Sequence, residues 1–335
     1  MKSHRRKVGN VARVAVAMAL VGGLLWHAGP RVILTTIAAA DLLLLASALA
    51  VMLIYSLVKV WNWLLLLRGV GVRRPEQFKG VLICYMGGGL LGSVIPSSAG
   101  TDAARALLAH RRFGGELTAH AASVVVLNAI SLLAACVLGL VAVALTLGDG
   151  FQRLHFIGAL LFSGFIVTIV GMHMLLQHRR DWWLRLLRRL PAPLRGIRRT
   201  LRRFAGHLLV FERAHVGFAP VLANALLAQL LFAATLFLTA LSVGINLDFL
   251  YWPIFGPLAS TVALIPASVS GFGVDQVGYV YFLGMVDVPE AQAFVASALF
   301  SVQAICINWG LGGVVLALFP LRTTDRESLS AAPRD

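Results

Sequence analysis

Two short stretches carry most of the side chains able to do chemistry. The first runs Ile95-Pro96-Ser97-Ser98-Ala99-Gly100-Thr101-Asp102, with Arg105 just beyond. The second runs Ile265-Pro266-Ala267-Ser268-Val269-Ser270-Gly271-Phe272-Gly273-Val274-Asp275, beside Gln276. Both read Ile-Pro, a small residue, Ser, then Gly, then Asp. Proline removes a backbone donor and glycine admits positive φ, so each stretch breaks a helix. The helix that restarts after each break points its orphan N–H groups back toward the turn, and such an end attracts anions. Arg105 can hold a phosphate or carboxylate bidentately. The plainer alternative is that Asp102 and Asp275 cap their helices and Arg105 pairs with Asp102. Either way the residues suit holding a charge rather than breaking a bond. Only single acids stand near 96–105 and 265–276, without a convergent base or nucleophile. His173 and His178 lack acidic or cysteine partners, and the sequence has no Walker-type phosphate loop. No metal, cofactor or enzymatic activity is therefore expected.

The elements that position these stretches are apolar. Hydrophobic residues make up 59% of the chain and charged ones 13%, which excludes a soluble catalytic domain. Several apolar runs exceed the ~20 residues needed to cross a bilayer. The net charge of +15 comes mainly from arginines outside those runs, so it reads as cytoplasmic loops near anionic lipid rather than nucleic-acid binding. Cys84, Cys136 and Cys306 lie far apart in apolar surroundings and are expected as buried thiols.

In chain order, a first span from about Val11 to Ala28 follows a basic N-terminus and is expected to be retained, with its N-terminus cytoplasmic. A short link through Arg31 leads to a second span, Asp41 to Leu66. Trp61 and Trp63 are expected at its interfacial belt, with Lys59 snorkelling to the surface. Gly80 to Ile95 is too short to cross, and 101–113 is too charged, so the pair predicts a hairpin entering and leaving on one side. Gly87-Gly88-Gly89 suits close approach to a neighbouring helix. Spans are expected from Leu117 to Leu147 and from Leu154 to Leu176, joined by Gly148-Asp149-Gly150. Residues 178–215 form an arginine-rich cytoplasmic loop, read as a surface anchor on anionic lipid. After it come a span from Val216 to Val243 and an outer loop with Tyr251 and Trp252 at the interface. A second short pair follows, Pro253 to Ile265 and Gly273 to Leu283. A last span, Ala291 to Phe319, precedes a polar tail, 320–335, expected to be disordered. Asn128, Asn224, Gln229, Gln303 and Asn308 are expected mainly as interhelical glue.

The expected fold is an all-α polytopic membrane protein forming one domain over residues 1–319. It has about six full transmembrane helices plus two re-entrant helical hairpins. The halves, about 10–147 and 152–319, form an inverted repeat, because three spans per half is an odd number. Paired helix breaks in corresponding halves point to a binding site at the repeat interface.

At the two breaks the chain resembles the flippase-like integral membrane family that includes the transmembrane region of lysylphosphatidylglycerol synthase. The residues carrying the resemblance are Leu91 to Arg105, Ala122-Ser123-Val124-Val125-Val126, Leu264 to Ser268, and Gly271-Phe272-Gly273-Val274. It covers nearly the whole chain in layout. The chain departs from the family where Leu127-Asn128 replaces an acidic–Arg pair and Gln276 replaces Glu, so no charged role carries over to those positions. The synthase's aminoacyl-transferase half has no counterpart in this sequence.

The resemblance implies a plasma-membrane protein that translocates or handles an anionic lipid or lipid-linked amphiphile. The expected substrate-binding residues are Pro96, Ser97, Ser98, Gly100, Thr101, Asp102, Arg105, Pro266, Ser268, Gly271, Gly273, Asp275 and Gln276. The alternative is a non-transporting accessory protein that recruits a lipid-modifying or envelope-synthesis enzyme through its arginine-rich loop.

Overall fold

The apolar runs fold as helices because hydrocarbon offers no partner to a free N–H or C=O, so each segment must satisfy its own backbone. The computed structural model describes residues 30–69, 78–93, 98–178, 218–262 and 274–318. Its helices are α1 (Pro30–Ala38), α2 (Leu42–Gly69), α3 (Phe78–Ser93), α4 (Ser98–Phe113), α5 (Leu117–Leu145) and α6 (Gln152–His178). They continue with α7 (Phe218–Ser242), a 3-10 turn (Phe249–Tyr251), α8 (Trp252–Val262) and α9 (Val274–Gly284). The last span is α10 (Glu290–Ile305), a π-helical segment (Cys306–Leu311) and α11 (Gly312–Leu318).

Five helical stretches among the described residues are long and apolar enough to cross a membrane: Leu42–Arg68, Leu117–Leu145, Gln152–Met172, Phe218–Ser242 and Glu290–Leu318. This is a multi-pass membrane protein. The expected first span, the arginine-rich loop and the C-terminal tail lie outside the described residues. The link through Arg31 is not the plain connection expected. It contains α1, opened by Pro30, whose missing N–H costs nothing in a first helical turn.

The bundle is dressed for lipid. Leu42, Leu43, Phe156, Val167 and Leu318 are exposed on its surface. Small residues are buried between helices, among them Ala48, Ala109, Ala122, Ala134, Ala225, Ala228 and Ala240. Small side chains let backbones approach where lipid supplies no hydrophobic drive.

Side-chain contacts fix the directions. Trp63 Nε1 donates to Ser123 Oγ at 3.0 Å and Lys59 Nζ to Ser131 Oγ at 2.6 Å, so α2 and α5 run antiparallel. The N–H of Asp41 donates to the carbonyl of Ser242 at 2.9 Å, which ties the start of α2 to the end of α7. Asp41 also caps α2, its Oδ1 accepting from the N–H of Leu43 and Leu44. At this same end, Tyr251 Oη donates to Asp149 Oδ2 at 2.7 Å and joins the α5–α6 turn to the start of α8.

Each packing pair in the first half has a counterpart in the second. Helix α2 packs on α3 and α5, and α7 packs on α8 and α10. Helix α4 packs between α3 and α5, and α9 between α8 and α10. Helix α5 reaches across to α8, while the π segment and α11 reach across to α3. Helices α2 and α7 pack on each other.

Four placements correct the sequence reading. Trp63 is buried rather than interfacial, because Ser123 on α5 satisfies its indole N–H. Tyr251 and Trp252 are buried in the core cluster at the turn that opens α8. Lys59 is buried rather than snorkelled, and Cys306 is exposed rather than buried. The common cause is helix rotation: facing a neighbour or facing lipid is decided by packing, and an all-apolar run carries no stripe to announce it.

Candidate functional site

The site builds from the α3–α4 pair. Glycines let these helices touch. A Cβ on Gly88 would sit 2.8 Å from Arg105 Cα, and one on Gly92 would collide with the Thr101 backbone. Gly87 and Gly89 face Leu316 and Asn308 of the last span. The Gly-Gly-Gly run thus serves close approach, as its composition implies.

That contact lays Arg105 against α3. Its guanidinium carbon sits 3.8 Å from the Tyr85 ring centroid, a cation–π geometry. Its Nε donates to the Tyr85 carbonyl at 3.4 Å and its Nη1 to Asp102 Oδ1 at 3.4 Å. Both bonds are long, so the ion pair is a loose i,i+3 contact rather than a closed fork. Asp102 is held better from the other side, where Asn128 Nδ2 donates to its Oδ2 at 2.7 Å. Asp102 therefore faces α5. Helix α4 already starts at Ser98, so Gly100 lies inside it, and Asp102 stands past its first turn and does not cap it. This corrects the plainer sequence reading.

Helix α2 brings a second cation. Lys59 is buried on α2 and faces α5 at Ser131, one turn beyond Asn128. Its bond to Ser131 Oγ is made to a hydroxyl that itself donates to the Leu127 carbonyl at 2.7 Å. Lys59 has no ion-pair partner among the described residues. An isolated lysine at a membrane helix centre costs roughly 2.5–3.5 kcal/mol on insertion scales. One turn further along the same helix, Asn62 is fully buried, and neither atom of its side-chain amide has a partner. Each such orphan costs about 1–3 kcal/mol. Asn62 thus carries a desolvation cost with no partner among the described residues, and Lys59 one offset by a single hydrogen bond to a neutral hydroxyl.

The second hairpin is plainer. Gln276, buried on α9, donates from Nε2 to Ser301 Oγ of α10 at 2.9 Å. Gly278 of α9 lies against the Ala259 backbone of α8. Asp275 stands in the first turn of α9, and its side chain is outside the described part.

Residues 10–312 match the family described as the lysylphosphatidylglycerol synthase TM region. The chain belongs to that family. A search of curated proteins finds no match. The membership links this membrane protein to lipid handling.

Of the expected site residues, the structure brings Gly100, Thr101, Asp102 and Arg105 together on α4, and places Gln276 on α9. Ser98 opens α4, with its side chain outside the described part. Pro96, Ser97, Pro266, Ser268, Gly271 and Gly273 lie outside the described residues. Of the five interior amides, Gln229 and Gln303 do bridge helices, bonding the Ser131 carbonyl and Thr239. Asn128 bridges as well, but to a carboxylate. Asn308 bonds within its own helix.

Sequence reasoning missed Lys59, Asn62, Tyr85 and Ser131. A signal was there: Tyr55, Lys59 and Asn62 recur at i, i+4 and i+7 in an apolar run, so they share one helix face. An ionisable residue inside such a run is a functional candidate before it is a surface anchor.

Proposed function

We propose that this chain translocates, or otherwise handles, an anionic lipid or lipid-linked amphiphile. The ionic head is held at the α3–α4 hairpin and the tails stay in hydrocarbon. The observation that carries the reading is the loosely paired Arg105, with Asp102, Asn128 and Lys59, inside the bundle. Charges in such a place are costly to retain and are otherwise found along substrate pathways.

Two features support a re-entrant, inverted arrangement. Asp102 meets Asn128 about three turns, ~17 Å, into α5, and Gln276 meets Ser301 the same distance into α10. Both hairpin arms therefore restart near the middle of a ~30 Å hydrocarbon core. The first hairpin also opens toward the end of the bundle where Phe78 meets Trp61, while the second opens toward the end where Tyr251 meets Asp149. An inverted repeat requires these opposite openings. With the basic ends of α2 and α4 taken as cytoplasmic, the first hairpin opens inward and the second outward. The localisation that goes with this is a plasma membrane, with no catalysis of lipid modification.

Reconstitution into vesicles with leaflet-labelled lipids tests the reading. The parent chain is expected to move an anionic phospholipid, and folded Arg105→Ala and Pro96→Leu variants to lose that movement. If both variants match the parent, the reading is wrong.

A further inference from the structure

A second buried polar point lies away from the charged hairpin, where α5, α7 and α8 meet. Trp252 is 1% exposed, and its indole Nε1 has no hydrogen-bond partner among the described residues. A buried indole N–H usually finds an acceptor, and one left unpaired costs about 1–3 kcal/mol. Trp63 shows the usual outcome: it is as deeply buried, and Ser123 Oγ accepts from it at 3.0 Å. Trp252 instead lines a small cavity, together with Ala135, Gln229, Phe232, Pro253 and Pro257. Two acceptors stand there. Gln229 donates from Nε2 to the Ser131 carbonyl at 3.1 Å, which leaves its Oε1 to accept. Pro257 lies inside α8 and has no N–H, so it gives nothing to the carbonyl four residues back, that of Pro253. The space open to water is about 10 Å³, room for one molecule and far too little for a lipid tail. One donor and two acceptors around such a space match the roughly three bonds of a buried water.

We propose that this cavity is a binding site for a single ordered water, which accepts from Trp252 Nε1 and donates to Gln229 Oε1 and to the Pro253 carbonyl. A proline inside a membrane helix is tolerated where a neighbouring helix or an ordered water satisfies the backbone group it frees. The water does this for α8. Through Gln229 it also ties α8 to α7 and to the Ser131 carbonyl of α5. A bridging water is nearly as good a partner as a direct hydrogen bond, so the seam between the two halves is joined here without a matched side-chain pair. It is a wet point in an otherwise apolar cluster. The site stands apart from the translocation reading and holds whatever cargo the chain handles.

The test uses the full purified chain in detergent micelles, exposed to hydroxyl radicals made from water by an X-ray pulse. Such radicals oxidise side chains that touch bound water even inside a protein. Trp252 is expected to be oxidised at least about threefold faster than Trp63, which is equally shielded but bonded to protein. Gln229→Leu removes one acceptor, and Ala135→Val fills the cavity. Both are expected to bring the Trp252 rate down to that of Trp63. A merely structural Gln229 would lower the melting temperature and leave the Trp252 rate unchanged. Equal rates at Trp252 and Trp63 in the parent chain overturn the proposal, as does a fast Trp252 rate that neither folded variant lowers. If neither variant folds, the parent chain decides by NMR of its tryptophan indole N–H groups. The Trp252 signal, assigned by its loss in Trp252→Phe, is expected to exchange magnetisation with water while the Trp63 signal does not. A Trp252 indole as silent toward water as that of Trp63 overturns the proposal.

Discussion

The α3–α4 and α8–α9 pairs meet their following spans the same distance along each helix, yet they are packed with different chemistry. Around α3 and α4 stand Lys59, Asn62, Tyr85, Asp102 and Arg105. Around α8 and α9 stand rings: Trp252 and Phe255 meet at 5.7 Å edge to face, Tyr251 and Phe255 stack at 6.2 Å, and Phe232 meets Phe300 at 5.6 Å. All of these except Phe232 and Phe300, which pack against it, belong to one buried apolar cluster. Asn128 accepts the task of steadying a carboxylate, while Ser301 at the same level steadies only an amide. Similar backbones have thus been given unequal duties. The charged hairpin carries electrostatic work that burial makes costly, and the aromatic one carries dense packing that makes a rigid wall. Under the proposed function, these two surfaces would serve the head and the tail of an amphiphile respectively.

This comparison can be broken most sharply by charge removal. Arg105→Ala is expected to lower anionic-lipid flux by about a hundredfold or more, since it removes the bidentate phosphate partner. Gln276→Ala is expected to cost only about two- to threefold. Equal losses in a vesicle flux assay would end the distinction between the halves. Next is the closeness of the arms. Gly88→Ala forces its methyl onto the Arg105 backbone and is expected to destabilise by about 1–3 kcal/mol, seen as a lower melting temperature. Gly256→Ala meets Phe232 Cε1 at 2.8 Å, the edge of a ring that can turn, so its cost is expected to be smaller. Third, Asn128→Leu leaves Asp102 with one long bond and is expected to cost about 1–3 kcal/mol in thermal unfolding.

The smallest effect is at the turn before α8. Tyr251→Phe removes the bond to Asp149, at about 1 kcal/mol. Burial first, then the Asp149 bond and charge, pushes the Tyr251 phenol above its usual range. Because the folded state holds that proton more tightly than the unfolded chain, the contribution is complete below pH about 10 and declines as pH rises beyond it. Melting curves should fall less steeply with alkaline pH in Tyr251→Phe than in the parent.

Much of the architecture was legible in the residues. Helix α3 falls where Gly80 to Ile95 was too short to cross, and α8 and α9 fall where Pro253 to Ile265 and Gly273 to Leu283 predict them. Proline and glycine act on the backbone they belong to, so their consequences are local and can be read directly. Arg105 and Asp102 were legible for the same reason, standing in the second turn of a helix whose break the sequence announces. Lys59 was not. It shares a helix face with Tyr55 and Asn62, yet from the sequence the same lysine suits a snorkelling anchor or a buried cation equally well. Asn62, Ser131 and Tyr85 enter the cluster from separate helices, and no spacing along the chain records that meeting.

The sequence by itself determined that the chain crosses a membrane, where its helices break, and which residues stand at those breaks, because length, hydropathy and backbone sterics are properties of contiguous residues. Only the tertiary structure decided which face of α2 turns inward, that Lys59 meets Ser131 while Asp102 meets Arg105 and Asn128, and that the second hairpin is walled with rings. Those depend on how helices rotate about their axes when small residues let them close, and that rotation is set by the whole bundle at once.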